Sequence, residues 1–251
     1  MTGKIVVITG AGGGLGRALS RRLASDGDTV VMLGRTLSKL EEVATGIGER
    51  AVPIACEITS PDSVRAAFAQ IAETFGQIDA LINNAGLFQP STLLEASDEL
   101  ITDAVMTNLA GTAFCARAAI PLLKRGGHII NVTSESVAIP LPFLTIYQAS
   151  KAGVENFTQM LNLELYDRGI RVSTVRAGTM VGEGMSAKIE PETMMRMFAD
   201  AGKRGIDMMA RGASSYESTV DAFRLILNSP ADLYVPSVAF HGLPAGWTDA
   251  G

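Results

Sequence analysis

The 251-residue sequence is poor in the residues that build metal centres, disulfide frameworks and nucleic-acid interfaces. It has two cysteines and two histidines, and 21 Lys and Arg stand against 26 Asp and Glu for a formal net charge of −5. Cys56 and Cys115 each lie inside an apolar stretch, IACEI and AFCAR, so they read as small buried hydrophobes of a reducing compartment rather than a disulfide pair. His128 enters one strand-like run and His241 follows another, with no Cys or carboxylate cluster at ligand spacing. Each is expected to be structural, and no metal site is expected. Without a basic patch or basic excess, a nucleic-acid partner is not expected. No apolar run approaches the roughly 20 residues of a membrane-spanning helix. The segment KIVVITG enters an apolar strand so early that it leaves no room for the regions of a signal peptide. A cytoplasmic protein with no membrane contact is the expectation.

What is present points to a folded α/β protein. The chain is 47% hydrophobic and 19% charged with 26 glycines, a globular composition whose length suits one domain over residues 1–251. Short β-rich apolar runs recur at Ile5–Thr9, Thr29–Leu33, Val52–Ala55, Ala80–Asn83, His128–Thr133, Arg171–Val175 and Tyr234–Phe240. Between most of them lie amphipathic stretches with a 3.6-residue period, at Gly16–Ser25, Leu37–Ile47, Pro61–Phe75, Leu100–Leu123 and Tyr147–Tyr166. Alternation of this kind predicts a doubly wound, Rossmann-type parallel sheet of seven strands with helices on both faces. In such sheets ligands sit beyond the carboxyl ends of the strands. One shift of composition, Gly182–Gly212, interrupts the pattern and reads as a lobe able to cover a site.

Three groups of residues carry candidate chemistry. Directly after the first strand run comes Thr9-Gly10-Ala11-Gly12-Gly13-Gly14-Leu15-Gly16, leading into a helical pattern. Glycines let the backbone turn sharply and approach a pyrophosphate, while the following helix N-terminus offers free N–H groups. About 20 residues further on, where an acidic residue would bond the ribose hydroxyl of NAD, the sequence has Gly34-Arg35. The space at Gly34 and the Arg35 fork favour the 2′-phosphate of NADP, with NAD still possible. Tyr147 and Lys151 are four apart, on one side of a helix. A cation beside a phenol lowers its pKa and makes it a usable proton donor or acceptor. Ser134 closes the run His128–Thr133, where its hydroxyl could hold a substrate carbonyl, and Asn108 lies in the helical stretch before it.

Taken in order, the marks Thr9-Gly10-xxx-Gly14-x-Gly16, Asn83-Asn84-Ala85-Gly86, Asn108, Ser134, Tyr147-xxx-Lys151 and Ala177-Gly178 resemble the short-chain dehydrogenase/reductase family, over about Lys4 to Gly178. The resemblance implies that Tyr147 is the general acid in reduction and the base in oxidation. Lys151 would tune it and hold the nicotinamide ribose, Ser134 would position the substrate oxygen, and Asn108 would complete a proton relay. Cofactor contacts are implied for Gly10, Gly12, Gly13, Gly14, Leu15, Gly16, Arg35, Glu57, Ile58, Asn84, Ala85, Gly86, Tyr147, Lys151, Gly178 and Met180. Hydride chemistry would belong to the cofactor. Three positions depart from the family pattern: Ala177 stands where proline is usual, Gly182 where a threonine often contacts the nicotinamide, and Glu57 where an aspartate is usual.

The expected function is therefore an oxidoreductase acting on a ketone or secondary alcohol, with NADPH favoured. Within the lobe, Met185, Met194, Met195, Met197, Met208 and Met209 suit an adaptable apolar pocket or merely pack helices on the sheet. The helix from Tyr147 has one apolar stripe at Val154, Phe157, Leu161 and Leu165 and an excess at Met160 and Leu163. A second buried face, and hence a homodimer or homotetramer, is expected. The rival readings are a nucleotide-binding regulatory protein of the same fold without turnover and a structural subunit. The former would keep the glycine loop and lose the Tyr–Lys pair.

Overall fold

The computed structural model describes residues 3–182, 184, 189–208, 210–230 and 232–244. Its centre is a seven-stranded parallel sheet formed by β1 (Ile5–Thr9), β2 (Thr29–Gly34), β3 (Ala51–Ala55), β4 (Ile78–Asn83), β5 (Leu123–Ser134), β6 (Arg171–Ala177) and β9 (Ser237–Phe240). The strands lie in the order β3-β2-β1-β4-β5-β6-β9. A two-stranded parallel pair, β7 (Met180–Val181) and β8 (Ser214–Ser215), lies beside it. The expected doubly wound sheet is confirmed. Each of the seven apolar runs falls in one of its strands, although the last strand begins at Ser237 rather than Tyr234.

Strand residues feed two cores by alternation, as the period of 2 requires. Val6, Ile8, Val30, Met32, Ala80 and Ile82 face one cluster, which helices α1 (Gly14–Ser25), α2 (Leu37–Ile47) and α8 (Tyr216–Leu227) complete. Val7, Val31, Leu33 and Leu81 face the other, completed by α3 (Pro61–Phe75), α5 (Gly111–Ala119) and α6 (Thr145–Glu164). Cys56 and Cys115 are free and buried in the second cluster, where burial pushes both thiols up. Neither is a thiolate at neutral pH.

The segment Leu100–Leu123 differs from the single helix its spacing predicts. It forms α4 (Asp98–Val105), a π-helical turn at Met106–Ala110, and then α5. The wider turn takes up an extra residue, a distortion that the 3.6-residue pattern cannot encode. It directs the fully buried Asn108 inward. Gly111 follows because a methyl group there would sit 3.0 Å from the Ile58 side chain. A second difference is α8, for which the spacing carries no expectation. Ser215 caps it by accepting a hydrogen bond from the Ser218 N–H at 3.1 Å, and Phe223, wholly buried, anchors it in the first core. In the lobe, one helix, α7 (Pro191–Lys203), is present among the described residues.

A polar chain crosses the second core beneath the strand ends. Asn83 donates to the Asn131 side chain at 2.9 Å, and Asn131 donates to the Thr158 hydroxyl on α6 at 2.9 Å. All three residues are buried, so the chain fixes α6 against β5 at one register rather than allowing the sliding that a purely apolar contact permits. His128 is likewise structural, with Nε2 2.8 Å from the Ser173 hydroxyl and the ring pushed down to about 3 by burial. It is neutral at any working pH.

Candidate active site

Strand order reverses at β1 and β4, and the loops leaving their carboxyl ends are stapled together. The Thr9 hydroxyl accepts from the backbone N–H groups of Asn84 and Ala85, each at 3.0 Å. In return, Asn84 Nδ2 donates to the Thr9 carbonyl at 3.0 Å and the Gly10 carbonyl at 3.4 Å. The approach is so close that a methyl group on Gly16 would lie 2.3 Å from the Gly10 carbonyl, and Gly10 itself has φ +67°. Only glycine fits both demands.

The same staple shapes a cradle at the start of α1. Its N-cap is Gly13, with no side-chain cap, and no acidic residue occupies the first turn. The leading N–H groups of the helix therefore have no intrahelical partner and carry the positive end of its dipole. A Cβ on Gly13 would meet nothing within 4 Å, so the backbone there is open to a close neighbour. Gly12 faces Lys39 and Leu40 of α2. Arg35, at the end of β2, is 79% exposed on its side chain and makes a loose ion pair with Glu57 at 3.7 Å. Glu57 also accepts from the Thr59 hydroxyl at 3.0 Å. Lys39 escaped sequence reasoning because it belongs to the first turn of a helix and approaches the glycine loop only in space. These residues fit a dinucleotide phosphate, because free N–H donors and cations surround a backbone without side chains.

The other predicted cofactor residues divide by role. Leu15 and Ile58 are buried in the two cores. Gly178 lets β6 approach β9, since a methyl group there would sit 2.6 Å from the Phe240 carbonyl. Met180 lies in β7, with its sulfur 3.8 Å from the Thr219 hydroxyl. Gly86 faces the candidate catalytic groups: its added methyl would lie 3.2 Å from Asn108 Oδ1 and 3.3 Å from Lys151 Nζ.

The candidate catalytic residues meet at the carboxyl end of β5. Ser134 ends that strand and hydrogen-bonds the Tyr147 phenol, while its Oγ also accepts from the Ser136 hydroxyl at 2.9 Å. Lys151, one helical turn beyond Tyr147, is buried and donates to the Val132 carbonyl at 2.9 Å. Asn108 is held on three sides. Its Oδ1 accepts from the Leu87 N–H at 2.7 Å, and its Nδ2 donates to the Leu87 carbonyl at 3.0 Å and the Ser150 hydroxyl at 2.9 Å. Asn108 thus ties the loop after β4 to α6.

Burial dominates the electrostatics of this pair. Burial pushes the Tyr147 phenol up from 10.0 to about 12, and the opposing pull comes from its hydrogen bond with Ser134 rather than from Lys151. Lys151 shares the same poorly hydrated site, where burial pushes its ammonium down from 10.5 to about 8. Tyr147 is consequently a proton carrier at neutral pH, in the form that donates.

Substrate-side residues are apolar and aromatic. Phe143, Leu144 and Met197 are buried together, with Phe88, Leu141, Tyr147 and Met208 packed against them. Phe88 meets Tyr147 edge-on, with centroids 4.8 Å apart at 77°. Arg196 of α7 binds Glu95 at 2.6 Å and stacks 5.2 Å above the Phe143 ring, whose backbone has φ +65°. The lobe therefore closes over Tyr147. Of its methionines, Met197 and Met208 join the pocket, but Met195 is exposed because it lies on the opposite face of α7. Met194 is half-buried outside this cluster, while Met185 and Met209 lie outside the described residues.

Glu135, which no motif singles out, ties this region to Ser134. It accepts from the Thr179 N–H at 3.1 Å and from Arg211 at 2.6 Å. The first residue before β7 and the strand region leading to β8 are thus held beside the serine.

A family model described as short chain dehydrogenase matches residues 4–193. The chain belongs to the short-chain dehydrogenase family. This dehydrogenase is 34% identical over 194 residues to an uncharacterized oxidoreductase of Staphylococcus aureus, covering 76% of this chain and 84% of that protein. A Staphylococcus saprophyticus relative, also an uncharacterized oxidoreductase, is 36% identical over 181 residues, covering 70% and 77%. Among solved structures, it resembles an alcohol dehydrogenase of the archaeon Thermococcus sibiricus complexed with 5-hydroxy-NADP (TM-score 0.81, 25% identity, 95% of this chain and 96% of that one). A 3-ketoacyl-(acyl-carrier-protein) reductase of Brucella melitensis complexed with NADH is similar at TM-score 0.80 and 28% identity, covering 94% and 96%. This protein is an NAD(P)-dependent oxidoreductase of the short-chain type.

Lys151 gives the dehydrogenase a pH signature in its stability. A lysine whose folded pKa lies below its unfolded one leaves the folded state with fewer bound protons, so its contribution to stability grows as pH rises from about 8 toward 10.5. The difference in Tm between the parent and Lys151→Met, measured by calorimetry from pH 7 to 10, is expected to move in the parent's favour across that window. A flat difference would mean that Lys151 is not desolvated.

Proposed function

We propose that this dehydrogenase reduces an apolar ketone with NADPH, or oxidises the corresponding secondary alcohol in reverse. The observation that carries the reading is the Tyr147 phenol, hydrogen-bonded to Ser134 on one side and packed among Phe88, Phe143 and Met197 on the other. A carbonyl brought to that phenol would be held by polar groups at its oxygen and by apolar groups along its carbon chain. That division is characteristic of a small-molecule pocket with few polar anchors.

The nicotinamide, when bound, supplies or takes up the hydride. Tyr147 donates its phenolic proton to the oxygen that becomes the alcohol, and takes it back in the oxidative direction. Ser134 orients that oxygen by hydrogen bond. Lys151 stands one turn away on α6 and offsets negative charge on the phenolate left by proton donation. Asn108 acts through position: it fixes the loop after β4 against α6 and so keeps Gly86 beside Lys151. The glycine-rich loop, Asn84, Ala85 and Gly86 shape the cofactor cleft, and the described residues between 182 and 212 belong to the lobe of the same sheet-centred unit that covers the substrate.

Preference for NADPH is supported by two cations, Arg35 directly after β2 and Lys39 beside Gly12, with no carboxylate at the end of β2 itself. Glu57 is the nearby acid and is paired with Arg35. The Thermococcus alcohol dehydrogenase complexed with 5-hydroxy-NADP lends a parallel, although the Brucella reductase complex contains NADH.

Exposed Met160 and Leu163 on α6, at 51% and 67%, are the apolar excess noted in the sequence and support a self-associating face. Light scattering at micromolar concentration is expected to give the mass of a dimer or tetramer, and a monomer would refute this. Arg35→Asp is expected to weaken NADPH binding by at least tenfold relative to NADH, read by cofactor fluorescence titration. An unchanged ratio would remove Arg35 from cofactor choice. Tyr147→Phe is expected to lower kcat by at least 100-fold on any ketone the parent accepts while NADPH still binds. Turnover of Tyr147→Phe at the parent rate would overturn the mechanism, and a preference for small polar ketones would overturn the apolar pocket.

A further inference from the structure

Gly182 stands where related enzymes often place a threonine toward the cofactor, and Gly184 likewise has no side chain. The space is filled from elsewhere in the chain. A methyl group on Gly182 would lie 2.8 Å from Cε2 of Tyr216, and one on Gly184 would lie 1.9 Å from the Tyr216 hydroxyl. On the opposite side, a methyl group on Gly14, the first residue of α1, would lie 3.5 Å from the same hydroxyl. One phenol is thus bracketed between the phosphate cradle and the segment after β7, and three glycines give way to it.

The placement of Tyr216 is set by the fold. β8 pairs with β7 through Met180↔Ser214 and Val181↔Ser215, and Tyr216 is the next residue. It opens α8, whose start is fixed by the Ser215 cap, and its ring is 9% exposed within the core shared by α1 and α8. Burial pushes the phenol up while the positive charge of Arg17 on α1 pulls it down. It is protonated at neutral pH and available as an O–H donor.

We propose that Tyr216 is a cofactor-binding residue, whose hydroxyl donates a hydrogen bond to the pyrophosphate of the nicotinamide dinucleotide beside the N-terminus of α1. A neutral hydroxyl meeting a phosphate oxygen makes a charge-assisted bond, stronger than one between neutral groups. The pyrophosphate is common to NADP and NAD, so Tyr216 acts on affinity and not on the choice between them.

Tyr216→Phe keeps the ring and removes the hydroxyl. It is expected to weaken NADPH and NADH by the same factor, about tenfold, measured by titration calorimetry. The Tm of the protein without added cofactor is expected to stay within about 2 °C of the parent. Gly184→Ala provides an independent route, because its methyl group displaces the hydroxyl. It is expected to weaken NADPH in the parent background and to add less than twofold in the Tyr216→Phe background, the non-additivity of two changes to one contact. NADPH binding by Tyr216→Phe within twofold of the parent, or full additivity of the two substitutions, would overturn the proposal. If the parent itself binds neither NADPH nor NADH, the cofactor assignment falls instead of the role of Tyr216.

Discussion

The structure depends on a close approach of backbone to backbone at the point where strand order reverses. Thr9 and Gly10 share four hydrogen bonds with Asn84 and Ala85 between the loops that leave β1 and β4, and Gly16 and Gly10 lie too near each other to allow side chains. Every later feature is referenced to that staple. It aims the N-terminus of α1 at the cleft, and it sets the path of the loop after β4. From that loop Gly86 and Leu87 reach Asn108 and, through it, α6. Tyr147 and Lys151 project from α6. The candidate cofactor cradle and the Tyr147 phenol are therefore held by one connected network.

The second constraint is burial of polar groups with partners. Asn83, Asn131 and Thr158 form a hydrogen-bonded chain inside the core that leaves only the Asn83 amide oxygen without a partner among the described residues of the chain, and the Lys151 ammonium is held by a backbone carbonyl in a site that disfavours its charge. Removing a partner from such a chain leaves a buried donor unsatisfied, which typically costs about 1–3 kcal/mol. The arrangement gives up stability for a fixed register between α6 and β5. That register holds Tyr147 against Ser134.

Much of the fold is legible in residue spacing. The period-2 and period-3.6 patterns locate the sheet and most of its helices, because buried strands and amphipathic helices impose those periods on sequence. The helices Leu37–Ile47 and Pro61–Phe75 coincide with α2 and α3 at both ends. The π-helical turn at Met106–Ala110 is not legible, since an extra residue in a turn leaves the apolar spacing nearly intact. Lys39, Glu135 and Tyr216 are not legible either: each belongs to the site through a neighbour distant in sequence, Gly12, Arg211 and Gly184 respectively.

Sequence alone determined the fold class, the order of the motifs and the chemical identity of the candidate reacting groups, for those are properties of residue type and spacing. Tertiary structure decided their states. It placed Tyr147 where burial keeps its proton and Lys151 where burial weakens its charge, the reverse of what two residues on an exposed helix face would do to each other. It also separated the lobe's methionines into those that reach the pocket and those that face water. The physical reason is the same in both cases: spacing fixes which residues share a face, but solvation is set by what folds against that face.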